Sequence, residues 1–172
     1  MKYLRLAVSF LTVLPTRQAA DYQHGDNGRA AVYFPWVGLL LAVLVIAANS
    51  LLRWFLPLPL TAVLTLALWA GLTGFLHLDG LADCADALPR PVPIERRLEI
   101  LKDSRVGSFA RVRLILFLTA KTAALYTLQT LPFWQLAWSL GNTSVLSRWV
   151  SILLPATQAS ARPGGMADDF KL

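Results

Sequence analysis

The chain has 172 residues, 56% of them hydrophobic and 15% charged, with a mean hydropathy of +0.53. That composition, with charge-free blocks at 30–52, 54–78, 122–147 and 149–161, excludes an ordinary soluble domain and points to an integral membrane protein in a lipid bilayer. The formal charge of +6 does not imply a nucleic-acid partner, because excess Lys and Arg in such a chain marks the cytoplasmic side. The single cysteine, Cys84, excludes an internal disulfide, and no Cys/His cluster suggests zinc.

Lys2 and Arg5 precede a short apolar stretch from Leu6 to Leu14. No A-x-A site precedes Pro15-Thr16-Arg17, so an interfacial or re-entrant helix is expected here rather than a cleaved leader. Spanning helices are expected at about Val32 to Phe55 and Leu60 to Leu78, joined by the helix-breaking Leu56-Pro57-Leu58-Pro59. A stiff Pro89-Arg90-Pro91-Val92-Pro93 connector and a charged amphipathic helix from Ile94 to Ser104 follow. Two more spans, about Arg111 to Leu131 and Phe133 to Leu154, meet at Leu131-Pro132. Trp54, Phe133 and Trp134 flank the turns as interfacial aromatics do. The expected fold class is therefore all-α: a polytopic transmembrane bundle of about four spanning helices plus the N-terminal helix. Residues 1–172 read as one integral membrane domain.

Fourteen of the sixteen basic residues lie on the side away from the Leu-Pro turns: Lys2, Arg5, Arg17, Arg29, Arg90, Arg96, Arg97, Lys102, Arg105, Arg111, Arg113, Arg148, Arg162 and Lys171. Arg53, which can snorkel, and Lys121, inside the third span, are the exceptions. The positive-inside rule then puts both termini and the loop at about 79–110 in the cytoplasm.

That loop begins with His77-Leu78-Asp79-Gly80-Leu81-Ala82-Asp83-Cys84-Ala85-Asp86. Asp79, Asp83 and Asp86 are spaced i, i+4, i+7 and share one helix face, where like charges repel unless a cation sits among them. Mg²⁺ suits such hard oxygen donors and commonly bridges carboxylates to substrate phosphates. Gly80 and Ala82 keep the helix surface low for a bulky phosphate substrate. The plainer reading is a solvated acidic helix start favoured by the helix dipole.

In Lys102-Asp103-Ser104-Arg105-Val106-Gly107-Ser108, Lys102 and Arg105 are candidates to hold phosphate oxygens, and Gly107 permits close backbone approach. Asp103 is a candidate further metal ligand or general base. The alternative is a glycine-capped helix end with a basic last turn. Lys121 and Arg148 lie within apolar segments, where ionisable groups face the bundle interior and bind a phosphate or a carboxylate; Arg148 could instead snorkel. His77 reads as a packing or interfacial histidine and Asn142 as an interhelical hydrogen-bonding group.

Phe10-Leu11-Thr12-Val13-Leu14-Pro15, Phe34-Pro35-Trp36-Val37-Gly38, the segment from Gly74 to Asp86 and Lys102-Asp103-Ser104-Arg105-Val106-Gly107 occur in order. Together they resemble the cobalamin synthase (adenosylcobinamide-GDP ribazoletransferase) family over nearly the whole chain. The resemblance implies a Mg²⁺-dependent enzyme of the bacterial inner membrane, multi-pass, with its active-site loop in the cytoplasm. In that chemistry the 3′-hydroxyl of α-ribazole, or of its 5′-phosphate, attacks the cobinamide phosphorus of adenosylcobinamide-GDP, and GMP leaves. By position it makes Asp79, Asp83 and Asp86 metal ligands, and Asp86 or Asp103 the catalytic base, with Gly80, Lys102, Ser104, Arg105, Gly107, Lys121 and Arg148 as candidates for binding substrate. It also implies a longer protein, with a further C-terminal third, and helix faces awaiting lipid, a second copy or other cobamide-synthesis proteins. The Asp-Gly and Ala-Asp pattern is similar to that of CDP-alcohol phosphatidyltransferases, which are the alternative enzyme class. A non-catalytic membrane partner or transporter is the other alternative.

Overall fold

The structure, a computed structural model, describes residues 1–16, 22–89, 91–103, 105–158 and 169–170. Eight helices and no strand occur among them: α1 (Lys2–Leu11), α2 (Asp26–Ala31), α3 (Phe34–Leu52), α4 (Leu58–Leu72), α5 (Leu76–Ala87), α6 (Ile94–Ile100), α7 (Ser108–Gln129) and α8 (Phe133–Thr157). The all-α expectation holds. The short α2 was not foreseen, and α6 stops four residues before the expected end.

Proline sets the hairpins as expected. Pro57 caps α4 in an extended conformation, and α8 starts just after Pro132. The long α3 is central and packs along α8 and against α4, while α7 packs on α4 and α5. One buried cluster joins α1, α2 and α3 through Ala7, Leu11, Ala31, Phe34 and Leu41. A second joins α3, α4, α7 and α8 through Val45, Leu66, Trp69, Leu125 and Leu136. Between α3 and α4 the buried Asn49 amide donates to Thr65 Oγ1 at 3.0 Å, a polar link of the kind that holds helices together where water is absent.

The second expected span is corrected. Helix α4 ends at Leu72 instead of running to Leu78, and α5 leaves at 89° to it. The cause is local: Gly74 adopts φ +58, its N–H bonds to the Gly71 carbonyl, and the Phe75 N–H reaches back to the Ala70 carbonyl. This is a Schellman end, with glycine in the left-handed position it tolerates best. Phe75, also at φ 58, extends the reversal into the start of α5. The N-terminal segment braces the bend, because the Val13 N–H bonds to the Leu72 carbonyl at 2.9 Å.

Among the described helices only α3 is long and apolar enough to cross a membrane alone, or two spans if the bent α4–α5 pair counts as one. Helix α7 begins with Arg111 and Arg113 and carries Lys121, and α8 intersperses Asn142, Ser144, Ser147 and Arg148 among its apolar residues. Those groups lower the apolar character that two further spans were expected to show.

Candidate functional site: an acidic helix facing a basic loop

Helix α5 keeps its three aspartates on one wall. Asp79, Asp83 and Asp86 line a cleft of about 580 Å³ whose other side is formed by α6 and the segment after it. Arg96, Lys102, Asp103, Arg105 and Gly107 stand on that other side. Carboxylates and cations thus face each other across one open space.

The aspartates are graded in burial: Asp79 is exposed, Asp83 half-buried and Asp86 buried. Burial raises the Asp83 carboxyl above the ordinary range, and the charges of Asp79 and Asp86 push in the same direction. Asp86 has a different environment. Its Oδ2 accepts the Gly107 N–H at 2.6 Å and its Oδ1 accepts the Ala110 N–H at 3.0 Å. Gly107 is the residue before α7 and has no side chain to cap that helix, so Asp86 caps it from α5. The α5–α7 contact is sealed by small side chains, Ala82 and Ala85 against Ala110.

This arrangement requires glycine at 107. A Cβ there would lie 2.5 Å from Asp86 Oδ1 and 2.7 Å from its Cγ. Gly107→Ala should therefore displace the carboxylate and break both bonds to α7, costing about 1–3 kcal/mol. Chemical unfolding in detergent measures this; a midpoint unchanged from wild type would contradict the geometry.

Asp103 forms an Asx turn, accepting the Arg105 backbone N–H at 3.0 Å, and its Oδ2 also receives Arg105 Nη2 at 2.7 Å. The Arg105 guanidinium beside it lowers the Asp103 carboxyl to about 2. A carboxylate held that low is a weak proton acceptor near neutral pH, so the pairing suits Asp103 to aiming Arg105.

Of the residues singled out in the sequence, Asp79, Asp83, Asp86, Lys102, Asp103, Arg105 and Gly107 line this cleft together. Gly80 lies off the cleft wall, and a Cβ there would meet nothing within 4 Å. Ser104 is outside the described residues, as are Arg17, Arg90, Arg162 and Lys171 of the topological reading. Lys121 and Arg148 are not in the cleft; they line a second cavity with His77, on the other side of α5. Sequence reasoning missed Arg96 and Ile100 as cleft residues, although their i, i+4 spacing places both on one face of α6. Among the described residues no three His, Cys, Asp or Glu side chains converge enough to cage a metal by themselves.

The fold and site define an all-α protein with a polar cleft in which an acidic helix opposes guanidinium and ammonium groups. The chain belongs to the cobalamin-5-phosphate synthase family, whose model matches residues 3–171. It is 40% identical over 171 residues to the adenosylcobinamide-GDP ribazoletransferase of Pseudomonas aeruginosa, covering 96% of this chain and 66% of that protein. The enzyme of the same name from Geotalea daltonii is 36% identical over 165 residues, covering 96% and 65%. That from Deinococcus radiodurans is 48% identical over 110 residues, covering 63% and 40%. The chain thus spans two thirds or less of the length of these curated relatives. No solved structure matches it.

Proposed function

We propose that this chain carries the phosphoryl-transfer site of an adenosylcobinamide-GDP ribazoletransferase. The hydroxyl oxygen of α-ribazole, or of its 5′-phosphate, attacks the phosphorus attached to cobinamide. As the new oxygen–phosphorus bond forms and the hydroxyl proton is given up to water, the bond from that phosphorus to the GMP oxygen breaks, giving adenosylcobalamin or its 5′-phosphate and free GMP. The observation that carries the reading is the cleft itself, with Asp79, Asp83 and Asp86 on one wall and Arg96, Lys102 and Arg105 opposite. The family and the names of the relatives support it.

The donor set fits Mg²⁺. Asp79 and Asp83 offer hard oxygens at a place where their charges already oppose one another, and Mg²⁺ is commonly held by one or two carboxylates with substrate phosphates completing its shell. Bound there, the ion would supply charge neutralisation at the phosphate oxygens. Asp86, engaged with Gly107 and Ala110, holds the loop that carries Lys102 and Arg105 against α5. Arg105, aimed by Asp103, and Lys102 bind phosphate oxygens; the guanidinium adds directional bonds and the ammonium a point charge.

We further propose that the chain is a multi-pass protein of the bacterial inner membrane, with the cleft at the cytoplasmic rim. Its exterior supports this: Leu39 and Val43 on α3, Val63 on α4, Leu116 on α7 and Trp138 and Val150 on α8 are large apolar side chains left exposed. Helices α7 and α8, less apolar than α3, would cross with the buried Gln129, Ser144 and Arg148 turned inward.

The test is nucleotide release by the chain in lipid nanodiscs. GMP should be released from adenosylcobinamide-GDP only when α-ribazole 5′-phosphate is present, should stop with EDTA and should return with added Mg²⁺. CMP release from CDP-diacylglycerol and an alcohol would move the chain to the CDP-alcohol class, and GMP release undiminished in EDTA would remove the metal.

A further inference from the structure

The cavity between α4, α5, α7 and α8, about 360 Å³, gathers positive charge without a counter-charge. Arg148, Lys121 and His77 line it, and among the described residues its lining contains no Asp or Glu. Arg148 is only 3% exposed. Its Nη1 donates to Ser147 Oγ at 2.8 Å, whereas Nε and Nη2 have no hydrogen-bond partner. Leaving two donors of a buried guanidinium unpaired is costly, and such groups normally find an acceptor. Lys121 Nζ lies 5.2 Å from the Trp69 ring centroid and 5.1 Å from that of Phe117, contacts that steady a cation but supply no acceptor oxygen.

We propose that this cavity is a binding site for a phosphate ester whose organic part is apolar or aromatic. The unpaired Nε–Nη2 edge of Arg148 is the kind of edge that grips an oxyanion side-on, as the equivalent edge of Arg105 grips Asp103 in this same protein. A phosphate has oxygens for that edge and for Lys121 together. The rest of the lining, including Leu66, Leu118, Trp69 and Phe117, suits the attached organic group.

Helix α5 is the partition between the two sites. His77, Leu78 and Leu81 face the cavity, while Asp79, Ala82, Asp83 and Asp86 face the cleft. A helix with side chains is roughly 10 Å across, so a phosphate on Arg148 is a different phosphate from one held at the aspartates. The inference therefore stands apart from the reading of the cleft and needs no divalent cation.

The ligand can come from a lipid headgroup or from a water-soluble ester, and the experiment separates them. The chain in a neutral maltoside detergent with EDTA is titrated with phosphatidylglycerol, benzyl phosphate and inorganic phosphate, following tryptophan fluorescence and adducts in native mass spectra. Saturable one-to-one binding of at least one probe is expected. Arg148→Gln and Lys121→Gln should each weaken it by about tenfold or more, and Arg148→Lys by less than Arg148→Gln. Binding of phosphatidylglycerol alone identifies a lipid headgroup site; binding of benzyl phosphate identifies a soluble ester. Lys121→Gln, which leaves the buried Arg148 in place, decides the matter if Arg148→Gln does not fold. Failure of all three probes to saturate, or unchanged affinity in Lys121→Gln, overturns the proposal.

Discussion

Asp83→Asn is expected to lower GMP release by at least about a hundredfold and to weaken Mn²⁺ binding, read by electron paramagnetic resonance, by tenfold or more. Asparagine keeps the shape but removes one of the two charges proposed to hold the ion. Stability should move the other way. The folded Asp83 carboxyl lies above its ordinary value, first through burial and then through Asp79 and Asp86. A carboxyl whose folded value exceeds its unfolded one favours folding while protonated, and that advantage is lost as pH rises through the folded value. Near neutral pH the ionised group therefore opposes folding, and asparagine removes the opposition without changing volume. For the same reason protons should compete with Mn²⁺ at a higher pH than at an ordinary aspartate. Wild-type turnover and Mn²⁺ affinity in Asp83→Asn would remove the metal site from this helix.

Gly38→Val should be the most destabilising single change along the α3–α8 contact. A Cβ on residue 38 would sit 2.6 Å from the Ser144 backbone oxygen and 2.9 Å from the Val145 Cα. These are main-chain atoms and cannot rotate away, so the helices must separate and loosen the packing of Val37 and Leu41 around the crossing. A loss of about 3 kcal/mol or more is expected. Small residues at such crossings let backbones approach, which matters most where helices meet in lipid. Gly141→Ala is the matched control within α8. Its Cβ meets nothing within 4 Å, and alanine gains up to about 1 kcal/mol of helix propensity. Unfolding of both variants by denaturant in detergent measures the difference; equal midpoints would mean that the crossing is not close-packed.

Much of the cleft was legible because it depends on spacing within short segments. Asp79, Asp83 and Asp86 share a face in any helix, and Lys102 to Gly107 lie within six residues of one another. Asp86 shows the limit of such reasoning: it was expected at the metal, yet its oxygens receive two N–H groups from the start of α7, more than twenty residues away. The bend between α4 and α5 was hidden for another reason. Hydropathy is continuous across residues 54–78, and a left-handed Gly74-Phe75 pair leaves no mark on it.

The sequence by itself determined the all-α class, the proline-set hairpins and the acidic face of α5, because periodicity, proline chemistry and charge spacing act over a few residues. Tertiary structure alone decided which cations face the aspartates of α5. It carried Lys102 and Arg105 to the aspartates and sent Lys121 and Arg148 to a separate cavity behind α5. Those placements are set by how α5 turns away from α4 at Gly74 and packs against α6 and α7. Packing of that kind is a property of side-chain volumes meeting across the chain, which no local pattern contains.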